Sequence, residues 1–302
     1  MSDDPPALVP QTPTLPTGRR AVAGDVPEIA LVISDVDGAL VTAEKVLTPT
    51  AVAAVRRLGI AGIGFTLISS RPPRGMAGLV AELDIRLAFG GFNGGSLATP
   101  DQVLIEAHPL AADIARRMLA LLAARGVEAW VFADGDWRLT DPDGPNVPLE
   151  RLAVGFDPTV VAGFDDVIGR IDKIVGVSDD QALLANVEAE AKALVGAKAS
   201  ILRSQLRYLD VTSPQSNKGD GVSALCQRIG VDLSRTAVIG DMFNDVAMFA
   251  RAGFSIAMGQ APEAGKARAD AVTLSNTEDG FASAVSRLIL PRAPRPAAAG
   301  RR

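Results

Sequence analysis

The sequence predicts an α/β chain built on a doubly wound parallel sheet, with a second α/β module inserted into it. Three observations predict this. Short apolar runs alternate with amphipathic helical stretches toward both ends of the chain, the rhythm of βαβ units. Two of those runs, Ile29–Ser34 and Thr236–Gly240, end in paired carboxylates, Asp35/Asp37 and Asp241/Asp245, and sheets of this kind place ligands at the C-terminal ends of their strands. Between about residues 95 and 205 the rhythm gives way to a hairpin and mixed elements, which marks the insertion.

The elements follow in order. Residues 1–27, rich in Pro, Thr and Ala without a period, read as a flexible tail, and residues 291–302 read the same way. Thr48 and Pro49 supply an N-cap and a first-turn proline for the helix Ala51–Leu58, which Gly59 ends. Gly64–Ser69 is a second buried strand, followed by Ser70-Arg71-Pro72-Pro73 and a helix to about Leu83. Gly90-Gly-Phe-Asn-Gly-Gly95 is a loop or a very close-packed turn. In the insertion, Ala111–Arg125 is an amphipathic helix. Ala129–Ala133 and Trp137–Thr140 form a hairpin turning at Asp134-Gly135-Asp136. The strand Lys173–Val177, the helix Gln181–Val195 and the strands Ser200–Arg203 and Leu206–Val211 complete this part. The βα pattern then resumes with the helix Gly219–Ile229, the Thr236 strand, the helix Asn244–Ala252, the strand Phe254–Met258 and a last helix, Glu278–Leu290. The core is thus expected over residues 28–94 and 206–290, and the insertion over 95–205.

Composition narrows the function. The 302 residues are 48% hydrophobic, enough for a packed core, and the net charge of −5 argues against a general nucleic-acid or anionic-membrane partner. Cys226 and His108 are the only cysteine and histidine, so intramolecular disulfides, thiolate zinc sites and imidazole-rich centres drop out. Uncharged stretches such as Leu58–Ser70 fall short of the roughly 20 residues a membrane helix needs. The N-terminus lacks a basic region followed by an apolar run, so a cytoplasmic protein is expected, as a monomer or a homodimer.

Two carboxylates at i and i+2 on a buried strand end repel each other unless a cation or a substrate sits between them. Asp35/Asp37, Ser69, Lys218 and Asp241/Asp245 all fall at strand ends or helix starts. Together they supply a carboxylate nucleophile, a second carboxyl, a hydroxyl, a cation and hard-metal ligands, a set suited to phosphoryl transfer. A lysine at a helix N-terminus opposes the helix dipole, so Lys218 needs an anion nearby.

Asp35-Val-Asp-Gly38, Leu67-Ile-Ser-Ser-Arg71, Ser216-Asn-Lys-Gly219 and Gly240-Asp-Met-Phe-Asn-Asp245 resemble, in order and setting, the four motifs of the haloacid dehalogenase superfamily. Ala257-Met-Gly-Gln-Ala-Pro-Glu263 and Ser275-Asn-Thr-Glu-Asp-Gly280 resemble its Cof-type, subfamily IIB sugar-phosphatase branch. The resemblance spans residues 29–290 and implies a Rossmann-like core with an α/β cap. It further implies a Mg²⁺-dependent phosphatase acting on a small phosphorylated metabolite, a sugar phosphate in the first instance. Narrower alternatives are a mannosyl-3-phosphoglycerate or sucrose-phosphate type phosphatase or a phosphomutase. A non-enzyme alternative is a phosphometabolite-sensing regulator on the same fold.

By the same resemblance, Asp35 would be the nucleophile and a metal ligand. Asp37 would protonate the leaving oxygen, then activate water, and reach the metal through its backbone carbonyl. Asp241 would be the second metal carboxylate, with Asp245 ligating or supporting it or Lys218. Lys218 would neutralise the nucleophile and the phosphoryl group. Ser69 would bond a phosphoryl oxygen or cap the following helix, with Ser70 competing. Gly38 would let the backbone approach phosphate. Arg71 and Asn93 would touch the leaving group, unless Arg71 is a surface charge. Asn244 would touch metal-bound water or phosphate, or act as an N-cap. Trp130 and Trp137 are cap core or a sugar-stacking face, and Arg203 and Arg207 could face the cleft. Ala39 stands where the family usually has Thr, and Ser70 where it usually has Gly, so a supporting hydrogen bond and the turn geometry are in question.

Overall fold

The protein is described from a computed structural model covering residues 28–294. A five-stranded, all-parallel sheet forms the core, in the order Ala271–Val272, Phe254–Ala257, Thr236–Gly240, Leu31–Ser34, Gly64–Leu67. The strand preceding Asp35 is therefore an interior one, second from the edge, flanked by one neighbour from before the insertion and one from after it. Its side chains alternate between two apolar layers, as a strand buried on both faces requires. Val32 packs with Leu58, Phe65, Ile239 and Phe281, while Leu31 and Ile33 pack with Val222, Leu225, Val238 and Met248. The helix Pro49–Ile60 covers the first layer and Lys218–Ile229 the second.

The insertion is a six-stranded sheet in the order Ser200–Gln205, Tyr208–Thr212, Ile171–Val177, Glu128–Ala133, Asp136–Leu139, Thr159–Val160. Asp134 and Gly135 both take positive φ at the hairpin tip, as a tight two-residue turn demands. One face packs Val131, Ile174 and Leu209 against the helices Ala112–Ala124 and Gln181–Val195. The other face is aromatic: Trp130, Phe132, Trp137 and Tyr208 pack with Val147 and Val154 of the helix Val147–Val154. Trp130 meets Trp137 edge-on at 5.2 Å and Tyr208 at 5.4 Å. Both tryptophans are core, not a stacking face. Trp130→Ala is expected to cost about 3–5 kcal/mol, from lost burial plus the cavity it leaves, read as a lower denaturation midpoint.

Several boundaries differ from expectation, each for a local reason. The first helix runs to Ile60 with Gly59 inside it, and the positive φ that ends such helices falls at Gly62. Tyr208–Thr212 pairs residue for residue with Lys173–Val177, so the chain leaves the second sheet after Thr212 and not at 205. Phe89–Gly91, Ser96–Ala98 and Leu104–Ala107 form a small antiparallel sheet, and Leu97 and Ala98 are buried among core residues. Residues just after 95 therefore lie against the core. The expected helix Asn244–Ala252 is a one-turn 3-10 segment, Phe243–Asp245, followed by Val246–Phe249. The last helix begins at Gly280 and widens into a π-helical turn over Val285–Ile289.

Part of the expected C-terminal tail is packed. The Arg292 carbonyl accepts from the Ile29 N–H at 2.8 Å, and its guanidinium lies 4.2 Å from the centre of the Phe254 ring. Residues 1–27 and the remainder of that tail lie outside the described residues. Among the described residues no helix is long and apolar enough to cross a membrane.

Candidate active site

The site sits where the strand Leu31–Ser34 ends. Lys218, on the first turn of its helix, is buried and bridges two carboxylates, with Nζ 2.7 Å from Asp35 Oδ1 and 2.6 Å from Asp245 Oδ1. That is the local anion its place on the helix called for. Asp245 is fully buried, and its other oxygen accepts from the N–H groups of Asp241 and Met242, each at 2.8 Å. This clamp folds the chain back after Thr236–Gly240, just ahead of the helix Val246–Phe249. Gly38 takes a φ of +83°, and a Cβ there would overlap the Asp241 carboxylate, so backbone freedom and close approach both require glycine. Gln260 donates to the Gly38 carbonyl at 2.6 Å and to Asp241 Oδ2 at 3.3 Å.

Asp35, Asp241 and Asp245 each offer an oxygen, all within 4.8 Å of one another. Three buried carboxylates face one ammonium, so with all three ionised two negative charges are in excess. Burial pushes Asp35 well above the usual carboxylate range, against the pull of Lys218. Burial also pushes Asp241 up to about 6, reinforced by Asp245. Asp241 Oδ1 is buried with no hydrogen-bond partner among the described residues, an arrangement native interiors rarely leave unexplained. An all-oxygen, acid-rich donor set of this kind fits a hard divalent cation. Because Lys218 and two backbone N–H groups occupy both Asp245 oxygens, Asp35 and Asp241 are the carboxylates with oxygens to spare.

A family model of haloacid dehalogenase-like hydrolases matches residues 32–285. The chain belongs to that family. The hydrolase is 27% identical over 227 residues to an HMP-PP phosphatase of Cronobacter sakazakii, covering 75% of this chain and 83% of that one. Its fold is similar to a haloacid dehalogenase-like hydrolase of Bacteroides thetaiotaomicron, with a TM-score of 0.80, 25% identity and coverage of 86% of this chain and 99% of the other. It is also similar to a subclass IIB sugar phosphatase, with a TM-score of 0.75, 22% identity and the same coverage. Together these make it a phosphatase-type hydrolase of the haloacid dehalogenase superfamily.

Other expected site residues of this hydrolase lie in a cleft of about 360 Å³ between the two sheets, which Asp35, Asp37, Ser70, Arg71, Asn93, Lys218 and Asn244 help to line. Arg71 lines the cleft and is not a surface charge, and a neighbouring carboxylate holds two of its N–H groups. It forks onto Asp37, with Nε 2.8 Å from Oδ2 and Nη2 2.6 Å from Oδ1, while Lys45 adds a third contact at 2.7 Å. Burial would raise the Asp37 carboxyl, but Arg71 and Lys45 outweigh it and hold the group at about 2. Asp37 is thus the firmly ionised member of the pair, the reverse of what a proton donor needs. Ser69 is fully buried and its hydroxyl accepts from the Arg71 N–H at 3.2 Å, so it shapes the turn while Ser70 faces the cleft. Asn244 makes no capping bond with its side chain; its amide donates to Asn93 Oδ1 at 3.1 Å, tying two cleft residues together. Ala39 is packed into the apolar core, where a threonine hydroxyl would need a partner.

Sequence reasoning missed the cleft's far wall. Glu150, Lys173, Tyr208 and Asp210 line it, and Glu150 rides on a helix that was not foreseen. A charged residue inside an otherwise buried strand, Lys173 in Ile171–Val177 and Asp210 in Tyr208–Thr212, was the available signal. Arg203 reaches the cleft wall but donates to the carbonyls of Gln181 and Leu206, and Arg207 turns to Asp179 and Asn146. Burial pushes Glu150 up from 4.5 to about 6, although Lys173 pulls the other way. A carboxyl raised by folding contributes stability below its unfolded value and loses it as the pH rises through about 6. Glu150→Gln is therefore expected to stabilise the protein by about 2 kcal/mol at pH 8 and negligibly at pH 4, in paired denaturant titrations.

Proposed function

We propose that the protein is a Mg²⁺-dependent phosphomonoester hydrolase that acts on a small phosphorylated metabolite through an aspartyl-phosphate on Asp35. The observation that carries this is the buried group of Asp35, Asp241 and Asp245 around one lysine, with Asp241 Oδ1 unpartnered. Asp35 and Asp241, with the Asp37 backbone carbonyl, would hold Mg²⁺, which when bound offsets charge on the phosphoryl oxygens. Lys218 holds the Asp35 carboxylate in place and lowers the repulsion an anionic nucleophile meets at an anionic phosphoryl group. Asp35 attacks phosphorus, forming an acyl phosphate as the bond to the leaving oxygen breaks. Asp37, ionised by Arg71 and Lys45, is in the form that takes a proton from the water that cleaves this intermediate. Donating a proton to the leaving oxygen in the first half requires that the Arg71 fork first let go. A narrow cleft roofed by the second sheet favours small substrates over phosphoproteins. A sugar phosphate is the finer reading, supported by the cleft's polar wall and by the similarity to a sugar phosphatase fold.

The test is phosphate release from a panel of small phosphomonoesters with Mg²⁺ and after chelation. Turnover is expected only with the metal. Because the cation binds the folded site alone, saturating Mg²⁺ at about 100 times its Kd is expected to add about 2.7 kcal/mol of stability, seen as a higher Tm. Turnover that survives exhaustive chelation would overturn the metal assignment.

A further inference from the structure

We infer that Gln260 is a positioning residue: its carboxamide holds one oxygen of the Asp241 carboxylate, leaves the other for the divalent cation, and so sets how tightly that cation binds. This rests on the metal-dependent phosphatase reading above and deepens it.

The two C-terminal motifs, Ala257–Glu263 and Ser275–Gly280, contribute no side chain to the group of Asp35, Asp241, Asp245 and Lys218. They meet at Gln260 instead. Its Oε1 accepts from the Asn276 N–H at 3.0 Å, while its Nε2 donates to the Gly38 carbonyl at 2.6 Å and to Asp241 Oδ2 at 3.3 Å. A backbone N–H only donates and a carbonyl only accepts, so these contacts allow the amide a single orientation, with its NH₂ toward Gly38 and Asp241. The backbone that carries the side chain is held as firmly. Met258 and Ala261, on either side, are buried. The Met258 N–H bonds the Gly240 carbonyl at 2.9 Å, and the Gly259 N–H bonds the Leu274 carbonyl at 3.0 Å. Gly259 leaves no room for a side chain, since a Cβ there would come within 2.6 Å of the Ser275 nitrogen. A capping box of Ser275 and Glu278 fixes the Asn276 end.

Asp241 needs this restraint. The last torsion of an aspartate is broad, so a carboxylate with no bonded oxygen swings freely. Because Asp241 Oδ1 has no partner, the bond from Gln260 is the only hydrogen bond this carboxylate accepts among the described residues. Gly38 adds a steric stop: a Cβ there would lie 2.2 Å from Oδ2, so that oxygen already rests against the Gly38 main chain. The stop and the donor both engage Oδ2, and Oδ1 keeps its bonding capacity. The short bond to the Gly38 carbonyl acts on the neighbouring strand end. It restrains the peptide that follows Asp37, whose own carbonyl is the backbone ligand proposed above. One amide therefore steadies two of the groups assigned to the cation without joining them as a ligand. Partners of this kind typically account for about 10–100-fold in metal affinity. Gln260 is itself exposed, so the fold does not depend on burying it and its effect on the cation is separable from stability.

The experiment follows the Tm of the wild type, Gln260→Met and Gln260→Ala across a Mg²⁺ titration without substrate. Methionine keeps the length of the side chain and removes the amide; alanine removes both. The concentration at which Tm begins to rise reports the Kd of the cation. Both variants are expected to melt like the wild type without metal and to need about 10–100 times more Mg²⁺ before Tm rises. Phosphate release at limiting Mg²⁺ is expected to fall in the same proportion, and excess Mg²⁺ to restore most of it. An onset unmoved in both variants would overturn the inference and leave the phosphatase reading standing. A metal-free melt lowered in both variants would assign Gln260 to the fold and overturn the inference as well. A wild-type protein whose Tm and turnover both ignore Mg²⁺ would end the metal assignment, and this inference with it.

Discussion

Asp35→Asn is expected to abolish phosphate release, by about 10⁴-fold or more, while leaving the protein as stable as before or more so. The two halves of this result have one cause. An amide of the same shape cannot form the acyl phosphate, so the covalent route closes. The same substitution removes one of three buried carboxylates gathered near Lys218, and with it the repulsion that appears whenever Asp35 ionises in the metal-free site. Lys218 keeps its bond to Asp245, so no buried ammonium is orphaned. Phosphate-release assays and thermal melts without metal check the pair. A variant that still turns over, or one that melts well below the wild type, would remove Asp35 from the proposed role.

Lys218→Met is expected to do the opposite to stability. It removes the sole ammonium from three buried carboxylates, and breaking a buried ion pair from one side costs about 3–5 kcal/mol. For a chain of this size, where about 1 kcal/mol moves Tm by 2–4 °C, the melt is expected about 6–20 °C lower. Activity is lost as well, because the nucleophile and the phosphoryl group lose their shared counter-charge. Adding Asp245→Asn to Lys218→Met is expected to recover part of the stability and none of the activity, since charge excess is relieved without restoring the ammonium. If the single variant melted like the wild type, the triad would not be the strained centre described here.

How much of this was legible in the sequence follows from what each residue depends on. Asp35, Asp241, Asp245 and Lys218 announced themselves because their settings are local: a buried strand ending in an acid, or a lysine opening a helix, needs a partner wherever the rest of the chain goes. The two-sided core followed from short apolar runs of strand length. What stayed hidden depends on residues far apart in sequence. Arg71 pairs with Asp37 across more than thirty residues, and nothing near either predicts it. The far wall required Lys173 and Asp210 to be brought together by sheet register and Glu150 to be laid over them by a helix, and one as short as Val147–Val154 carries too few turns to show a clear period. Boundaries moved where a side chain overrode local preference, as when Asp245 turned back on the Asp241 and Met242 amides.

The order of strands in the core sheet has a bearing on how the enzyme comes into being. Asp35 directly follows the strand Leu31–Ser34, and the strand beside it, Thr236–Gly240, which delivers Asp241, is separated from it by the whole inserted module. During synthesis the second sheet, whose strands are contiguous in sequence, can assemble while the first half of the core still waits for its middle. The site's negative charges are therefore gathered last, after the lysine that balances them has already emerged from the ribosome. Such distant pairing makes the core slow to close relative to the insertion. Until Thr236–Gly240 takes its place, the chain carries a roof over an unfinished floor, and no hydrolytic capacity at all.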